Sequence, residues 1–168
     1  MVEPLAVALL EASDERGIVL ATAESCTGGM IAGAITDVPG SSISFDRGFV
    51  TYSNTAKIDM LGVEAEAIEE YGAVSPIVAE QMAIGAIRHS KASLSVSVTG
   101  IAGPGGGSPE KPVGLVHMAI AKRGDGEIVI VATSKLLFDE ALGRSGVREA
   151  TVRAALQALA DAAALERP

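Results

Sequence analysis

The chain has 168 residues, 48% of them hydrophobic, a mean hydropathy of +0.37 and a formal net charge of −8, values typical of one globular domain over residues 1–168. The negative charge repels a phosphate backbone and argues against sequence-independent nucleic-acid binding. The single cysteine, Cys26, excludes an intramolecular disulfide, and no apolar run approaches the ~20 residues that cross a bilayer. We therefore expect a soluble cytoplasmic protein without a membrane partner.

Helices and strands alternate in the first half of the predicted elements. The pattern predicts a helix from Pro4 to Gly17, a strand over Ile18–Thr22 and a helix over Thr27–Ile35. The next elements are a strand that ends within Phe49–Tyr52, a helix that Asn54 caps and that runs to Gly62, and a helix that begins at Ser75–Pro76. After these come a strand with Leu94, Val96 and Val98 on one face and Ser95, Ser97 and Thr99 on the other, a strand pair joined by "KRGDGE", and a helix over Ser145–Leu165. This mixed order predicts an α/β fold, a three-layer α/β/α sandwich with a mixed sheet.

A segment rich in glycine and proline, "GIAGPGGGSPEKPVG", directly follows the predicted strand that ends near Thr99. It is either a linker between two domains or a loop at a ligand site. The residues after Gly114 form only a strand pair and a helix, too little for a second domain. The loop at a site is therefore the favoured interpretation.

Ser25 lies where an apolar strand turns into a helix, in the stretch "TAESCTGG". A serine at this position is a helix cap, a nucleophile or both. The amides of Cys26, Thr27 and Gly28 would begin the helix with unpaired N–H groups, which stabilise an oxyanion or a bound anion. A nucleophile at Ser25 would therefore have an oxyanion hole within reach.

The base that would activate Ser25 is hard to find among the histidines. His89 is expected near the end of a helix in solvent, and His117 within an apolar strand, so neither has an evident partner. No histidine pair has zinc-site spacing, so we expect no metal site. Lys57 is the remaining candidate base, although a surface lysine is the simpler interpretation of its position alone. Without a nearby histidine, Cys26 is expected to be a small buried residue.

Three enzyme classes with similar residues do not fit. Short-chain dehydrogenases place Tyr and Lys four positions apart on one helical turn, whereas Tyr52 and Lys57 are five apart. Penicillin-recognising enzymes have a lysine three residues after the serine, where this chain has Gly28. The third class is the nucleoside triphosphatases. Lys111 lies between a glutamate and a proline, so the glycine-rich segment is not the Walker A motif that these enzymes use.

Five motifs in order resemble one known family. They are "TAESCTGG", "GSS" at 40–42, "RGFVTYSNTAK" at 47–57, "YGAVS" at 71–75 and "VTGIAGPGGGSPEKPVG" at 98–114. The sequence resembles the C-terminal domain of CinA, the competence/damage-inducible protein. Members of this family include nicotinamide-nucleotide amidases, which hydrolyse the carboxamide of nicotinamide mononucleotide to nicotinate mononucleotide and ammonia. The resemblance implies that activity here, in a stand-alone amidase domain without a cofactor.

The resemblance also implies roles for individual residues. Ser25 would be the nucleophile, Lys57 its base and Tyr52 a hydroxyl in the same network. The expected substrate-binding residues are Cys26, Thr27, Gly28, Ser41, Ser42, Arg47, Thr99, Gly100 and Gly103. Of these, Ser41, Ser42 and Arg47 are candidates for the phosphate, and Arg47 is also a candidate for the cation that lowers the pKa of Lys57. The family further implies a homo-oligomer. The alternative is a non-catalytic nucleotide-binding regulator associated with competence or DNA damage.

Overall fold

The computed structural model describes residues 2–166, so Met1 and residues 167–168 of the predicted domain lie outside it. A sheet of five strands lies between two layers of helices. The elements in chain order are α1 (Glu3–Arg16), β1 (Leu20–Glu24), α2 (Met30–Thr36), β2 (Phe45–Val50), α3 (Asn54–Leu61), α4 (Ala65–Tyr71), α5 (Pro76–Arg88), β3 (Leu94–Gly100), β4 (Leu115–Arg123), β5 (Ile128–Leu137) and α6 (Gly143–Leu165). Short 3₁₀ turns cover Ser41–Ile43 and Glu140–Leu142.

The strand order is β2-β1-β3-β4-β5. β1 pairs in parallel with both β2 and β3, whereas β3, β4 and β5 pair antiparallel. The sheet is therefore mixed, as the sequence predicts. Because parallel strands point the same way, the residues that follow β1, β2 and β3 meet at one edge of the sheet, which is where open α/β sheets bind ligands.

The two faces of β3 have different partners. Leu94, Val96 and Val98 belong to the core cluster that the sheet forms with α1, α2 and α6. On the opposite face, the Ser95 hydroxyl donates a 2.8 Å hydrogen bond to the Ala83 carbonyl of α5, and the Ser97 hydroxyl donates to a second α5 carbonyl. The predicted alternation is confirmed, and these bonds explain why its polar face is also buried.

The first strand and the helix after it begin later than predicted. The Ile18 amide donates to the Ser13 carbonyl and so belongs to the end of α1, which leaves the strand to begin at Leu20. α2 begins at Met30 rather than Thr27, because Gly28 and Gly29 have positive φ angles of 60° and 97° that interrupt the helix. The residues from Ser25 to Gly29 therefore form a turn between β1 and α2.

Two further boundaries differ from the prediction, and a third agrees with it. Ser53, not Asn54, caps α3, because its hydroxyl accepts the Ala56 amide at 3.0 Å. β2 ends at Val50, within the predicted Phe49–Tyr52 stretch, whereas α6 begins at Gly143, two residues before Ser145. The short α4 was not predicted at all, and no side chain caps its first turn.

Gly85 determines how closely α5 approaches α3, the helix that carries Lys57. A Cβ at Gly85 would lie only 2.1 Å from the Leu61 carbonyl oxygen, so no larger residue fits without moving one helix. The absence of a side chain therefore allows α3 to pack closely against α5. Within residues 2–166, no helix is long and apolar enough to cross a membrane.

Candidate functional site

A cavity of about 200 Å³ opens where the carboxyl ends of the three parallel strands meet. Its walls come from the turn after β1, the segment that joins β2 to α3, the end of β3 and the first turn of α6. The lining residues are Ser25, Cys26, Tyr52, Asn54, Lys57, Ala73, Val74, Thr99, Gly100, Ala102 and Arg144. The structure thus brings Ser25, Tyr52, Lys57, Thr99 and Gly100 together from distant parts of the sequence.

Ser25 is the first residue of the turn and is held by its backbone. Its amide donates to the Val98 carbonyl of β3, and its carbonyl accepts the Gly28 amide, both at 3.1 Å. Gly28 is therefore not one of the free amides that the sequence predicted. For the amides of Cys26 and Thr27, no acceptor is found in the described part of the chain. Two unpaired N–H groups thus follow the serine, as an oxyanion hole requires.

Lys57 reaches Ser25 from the opposite side of the cavity. Its Nζ lies 2.9 Å from the Ser25 Oγ and donates a 2.8 Å hydrogen bond to the Thr51 carbonyl. The lysine is only 1% exposed, and no carboxylate within residues 2–166 pairs with it. This burial lowers the pKa of Lys57 below its ordinary value of 10.5. A neutral amine in this position can accept the Ser25 proton while it still donates to Thr51.

The predicted phosphate residues lie elsewhere. Arg47 pairs with Ala21, near the start of β1, and its guanidinium donates to Asp46 and to the His89 carbonyl. Ser41 and Ser42 form the 3₁₀ turn before β2. All three are at the amino ends of the strands, about four residues or ~13 Å of strand away from the Ser25 edge. Arg47 therefore does not lower the pKa of Lys57, which burial alone explains.

Arg144 is the cation that the structure places at the mouth of the cavity. Its guanidinium donates to the Gly103 carbonyl at 2.8 Å and to the Tyr52 hydroxyl at 2.9 Å. Tyr52 is 63% exposed, and its hydroxyl bonds to Arg144 rather than to Ser25 or Lys57. Because a guanidinium has five N–H donors, Arg144 keeps three for an anion.

The glycine-rich segment forms the rim beside Arg144. The Thr99 hydroxyl donates to the Ala73 carbonyl at 2.8 Å and so joins the end of β3 to the segment before α5. A Cβ at Gly100 would lie 2.6 Å from a Val116 methyl group, which explains a glycine there. Gly103 contributes its carbonyl to Arg144 but does not line the cavity itself.

The other candidate groups are poorly suited to catalysis. Burial raises the pKa of Cys26 to about 11, so its thiol is protonated at neutral pH and is a weak nucleophile. His117 is buried in β4, and burial lowers its pKa, while His89 follows the last turn of α5. Neither histidine lines the cavity. Among the described residues, no group of acidic, histidine or cysteine side chains could hold a metal ion.

Sequence reasoning missed three contributors to this site. Thr51 acts through its backbone carbonyl, which leaves no trace in a sequence pattern. Arg144 is more than 85 residues beyond Lys57 in the sequence. The only signal for it was its place near the start of the last helix, because a helix N-terminus attracts anions. Arg148, one turn later, donates to the carbonyls of Cys26 and Thr27 at 3.0 and 3.1 Å and so fixes the far side of the Ser25 turn.

Comparison with known proteins identifies the same family that the five sequence motifs resemble. The family model of the CinA C-terminal domain matches residues 2–163. The chain is 51% identical over 146 residues to the nicotinamide-nucleotide amidohydrolase PncC of Enterobacter agglomerans, covering 87% of this chain and 83% of that protein. It is 53% identical over 149 residues to a putative competence-damage inducible protein of Symbiobacterium thermophilum, covering 87% of this chain but only 34% of that protein. The chain thus spans about a third of that longer relative.

A solved structure shares the whole fold. The crystal structure of the competence/damage inducible protein CihA from Agrobacterium tumefaciens superposes with a TM-score of 0.88 at 51% identity, covering 94% of this chain and 93% of that one. A CinA superfamily protein from Escherichia coli superposes with a TM-score of 0.85 at 35% identity, covering 95% of this chain and 90% of that one.

The Ser25–Lys57 contact predicts a pH-dependent reactivity that needs no substrate. A fluorophosphonate reagent should phosphonylate the Ser25 Oγ, with loss of fluoride and transfer of the serine proton to Lys57. Because burial lowers the pKa of Lys57, the labelling rate should rise with pH and reach its plateau below pH 10.5. The measurement is the labelling rate of the Ser25 peptide by mass spectrometry from pH 5 to 11.

Two variants control this experiment. Lys57→Arg keeps a positive charge but cannot accept a proton, and Lys57→Met keeps a similar length without a base, so both should label very slowly. Labelling of Lys57→Arg at the rate of the unmodified protein would show that only the charge matters.

Proposed function

Because the chain belongs to the CinA C-terminal domain family, we propose that it is a nicotinamide-nucleotide amidohydrolase that releases ammonia from nicotinamide mononucleotide. The observation that carries the proposal is the 2.9 Å contact between the Ser25 Oγ and the Nζ of a buried Lys57. A relative with this activity in its name, the PncC protein of Enterobacter agglomerans, aligns over most of this chain.

The first half of the proposed reaction forms an ester. Neutral Lys57 takes the Ser25 proton while the Oγ attacks the carboxamide carbon, and the unpaired amides of Cys26 and Thr27 stabilise the oxyanion. Lys57 then passes this proton to the departing nitrogen, which leaves as ammonia. The nicotinoyl group remains on Ser25 as an ester.

The second half repeats the same proton transfers with water. Lys57, neutral again, removes a proton from a water molecule, which attacks the ester carbonyl. The oxyanion collapses, Ser25 regains its proton from Lys57, and nicotinate mononucleotide leaves. One lysine is sufficient for both halves because it returns to the neutral form after each.

The ribosyl phosphate needs more room than the Ser25 cavity has. At about 200 Å³ this cavity is smaller than the ~300–1,000 Å³ of most ligand sites. A second cavity of about 420 Å³ shares the walls formed by Ala102 and Arg144 and extends along the turn before α6. We place the pyridine carboxamide beside Ser25 and the phosphate against Arg144, on the wall that the two cavities share.

The phosphate contact at Arg144 replaces the site predicted from Ser41, Ser42 and Arg47. A guanidinium with three free N–H donors binds phosphate in a forked geometry, and each charge-assisted hydrogen bond contributes about 1.5–3 kcal/mol. In an acidic protein this attraction must be local, and Arg144 lies at the rim of both cavities.

The test of the proposal is ammonia release from nicotinamide mononucleotide. We expect turnover by the unmodified chain and none by Ser25→Ala, which removes the nucleophile. The loss of the hydroxyl and of its hydrogen bond to Lys57 should cost about 1 kcal/mol of stability, so the variant should stay folded. Folded Ser25→Ala with substantial turnover would contradict the nucleophile. Tight binding of the mononucleotide without ammonia release by the unmodified chain would support the non-catalytic regulator instead.

A matched pair of arginine variants tests the phosphate contact. Arg144→Ala should lower kcat/KM for the mononucleotide by about tenfold to a hundredfold, the loss of one strong charge-assisted contact, and change nicotinamide riboside much less. Arg47→Ala should leave both substrates close to the unmodified protein, since Arg47 lies at the other end of the strands. Steady-state ammonia assays on both substrates measure this. Equal losses on the two substrates in Arg144→Ala would show that Arg144 orders Tyr52 and the loop rather than the phosphate.

A further inference from the structure

Glu24, the last residue of β1, is a fully buried carboxylate that the proposed reaction does not use. It lies directly before Ser25, on the face of β1 that packs against α2. No cation within residues 2–166 forms an ion pair with it. A buried charge of this kind is costly unless hydrogen bonds replace its water.

Four donors surround this carboxylate. One oxygen accepts the Thr27 hydroxyl at 2.7 Å and the Ile31 amide at 2.9 Å. The other accepts the Ala32 amide at 2.9 Å and the Thr22 hydroxyl at 3.3 Å. Two of the donors are thus first-turn amides of α2, which are otherwise unpaired at a helix start, and a third is a side chain of the Ser25 turn itself.

The consequence is that Glu24 joins both ends of the turn. The turn begins at Ser25, whose backbone bonds to β3, and it ends at α2, whose amides bond to Glu24. Glu24 and Arg148 hold different parts of it: Arg148 binds the carbonyls of Cys26 and Thr27, and Glu24 binds the hydroxyl of Thr27. A trans peptide directs its C=O and N–H in opposite directions, so a carbonyl fixed on Arg148 directs the Thr27 amide away from it.

We infer that Glu24 is a positioning residue that holds the turn carrying the Cys26 and Thr27 amides in place relative to the Ser25 Oγ. This inference rests on the proposed function for its kinetic test but not for its chemical one. The Glu24 carboxylate forms no hydrogen bond with Ser25 or Lys57 and does not line the cavity, so this side chain acts through the turn and α2. Removal of the Glu24 carboxylate should therefore affect the step in which the oxyanion forms, while Tyr52 and Arg144 stay in place at the mouth of the cavity.

The test compares Glu24→Gln with the unmodified protein. A glutamine has one acceptor oxygen, and its NH₂ group would face a backbone donor in place of the second oxygen. We expect kcat for the mononucleotide to fall by about tenfold to a hundredfold, as a displaced catalytic group does, with KM within about threefold. The rate of Ser25 labelling by the fluorophosphonate should fall by a similar factor, because the phosphonyl oxygen uses the same amides.

Two further variants make the result decisive. Thr27→Val removes the shortest bond to Glu24 and should show the same fall in kcat in a milder form, and it remains a test if Glu24→Gln does not fold. Thr22→Val removes the longest of the four bonds, which does not involve the turn, and should change kcat less than Thr27→Val.

The outcomes separate the two proposals. A protein that labels at Ser25 but does not hydrolyse the mononucleotide contradicts the proposed function alone, and slower labelling of Glu24→Gln still supports the positioning role. Folded Glu24→Gln with unchanged kcat and labelling overturns that role, as does a rise in KM with kcat preserved. Absence of labelling in the unmodified protein overturns both the nucleophile and the positioning role.

Discussion

The central constraint on the proposed reaction is that Lys57 must be buried deeply enough to lose its proton and yet lie within hydrogen-bond distance of Ser25. Burial alone would place an unsatisfied amine in a low dielectric, which is costly. The Thr51 carbonyl and the Ser25 hydroxyl reduce this cost by pairing with the Nζ, so the polar partners that make the burial tolerable are also those that proton transfer needs. A lysine on the surface would remain charged at neutral pH and could not act as a base.

The fold supplies this geometry through the parallel half of the sheet. Ser25 follows β1, Lys57 comes from the helix that follows β2, and Thr99 ends β3, so the three meet at the carboxyl edge. Gly85 of α5 leaves room for α3, the helix that carries Lys57, to pack closely against it. The antiparallel strands β4 and β5 add nothing to the cavity wall; the chain returns to the site only at α6, with Arg144.

Local patterns were sufficient to predict the elements with strong end signals. Gly17 ends α1 with a positive φ, Ser75 and Pro76 begin α5, and the alternation in β3 distinguishes its two faces. The short α4 lacks such a signal and was missed. Residues 27–29, the second half of the Ser25 turn, were predicted as helix because an apolar run follows them, whereas two consecutive glycines with positive φ postpone the helix to Met30. In the candidate site, motif resemblance identified the residues that the fold brings together. It also assigned Arg47 to this site, but Arg47 is near Lys57 only in sequence and lies at the opposite end of the strands, whereas the folded chain brings Arg144 to the cavity.

The most direct test of the account is whether Ser25 carries the acyl group during turnover. The unmodified protein is mixed with nicotinamide mononucleotide, quenched in acid within the first turnovers, digested and analysed by mass spectrometry. The account predicts an ester on the peptide that contains Ser25, heavier by nicotinate mononucleotide less one water, and no such ester in Ser25→Ala. An adduct on Cys26, or product formation with no adduct on any residue, would contradict it.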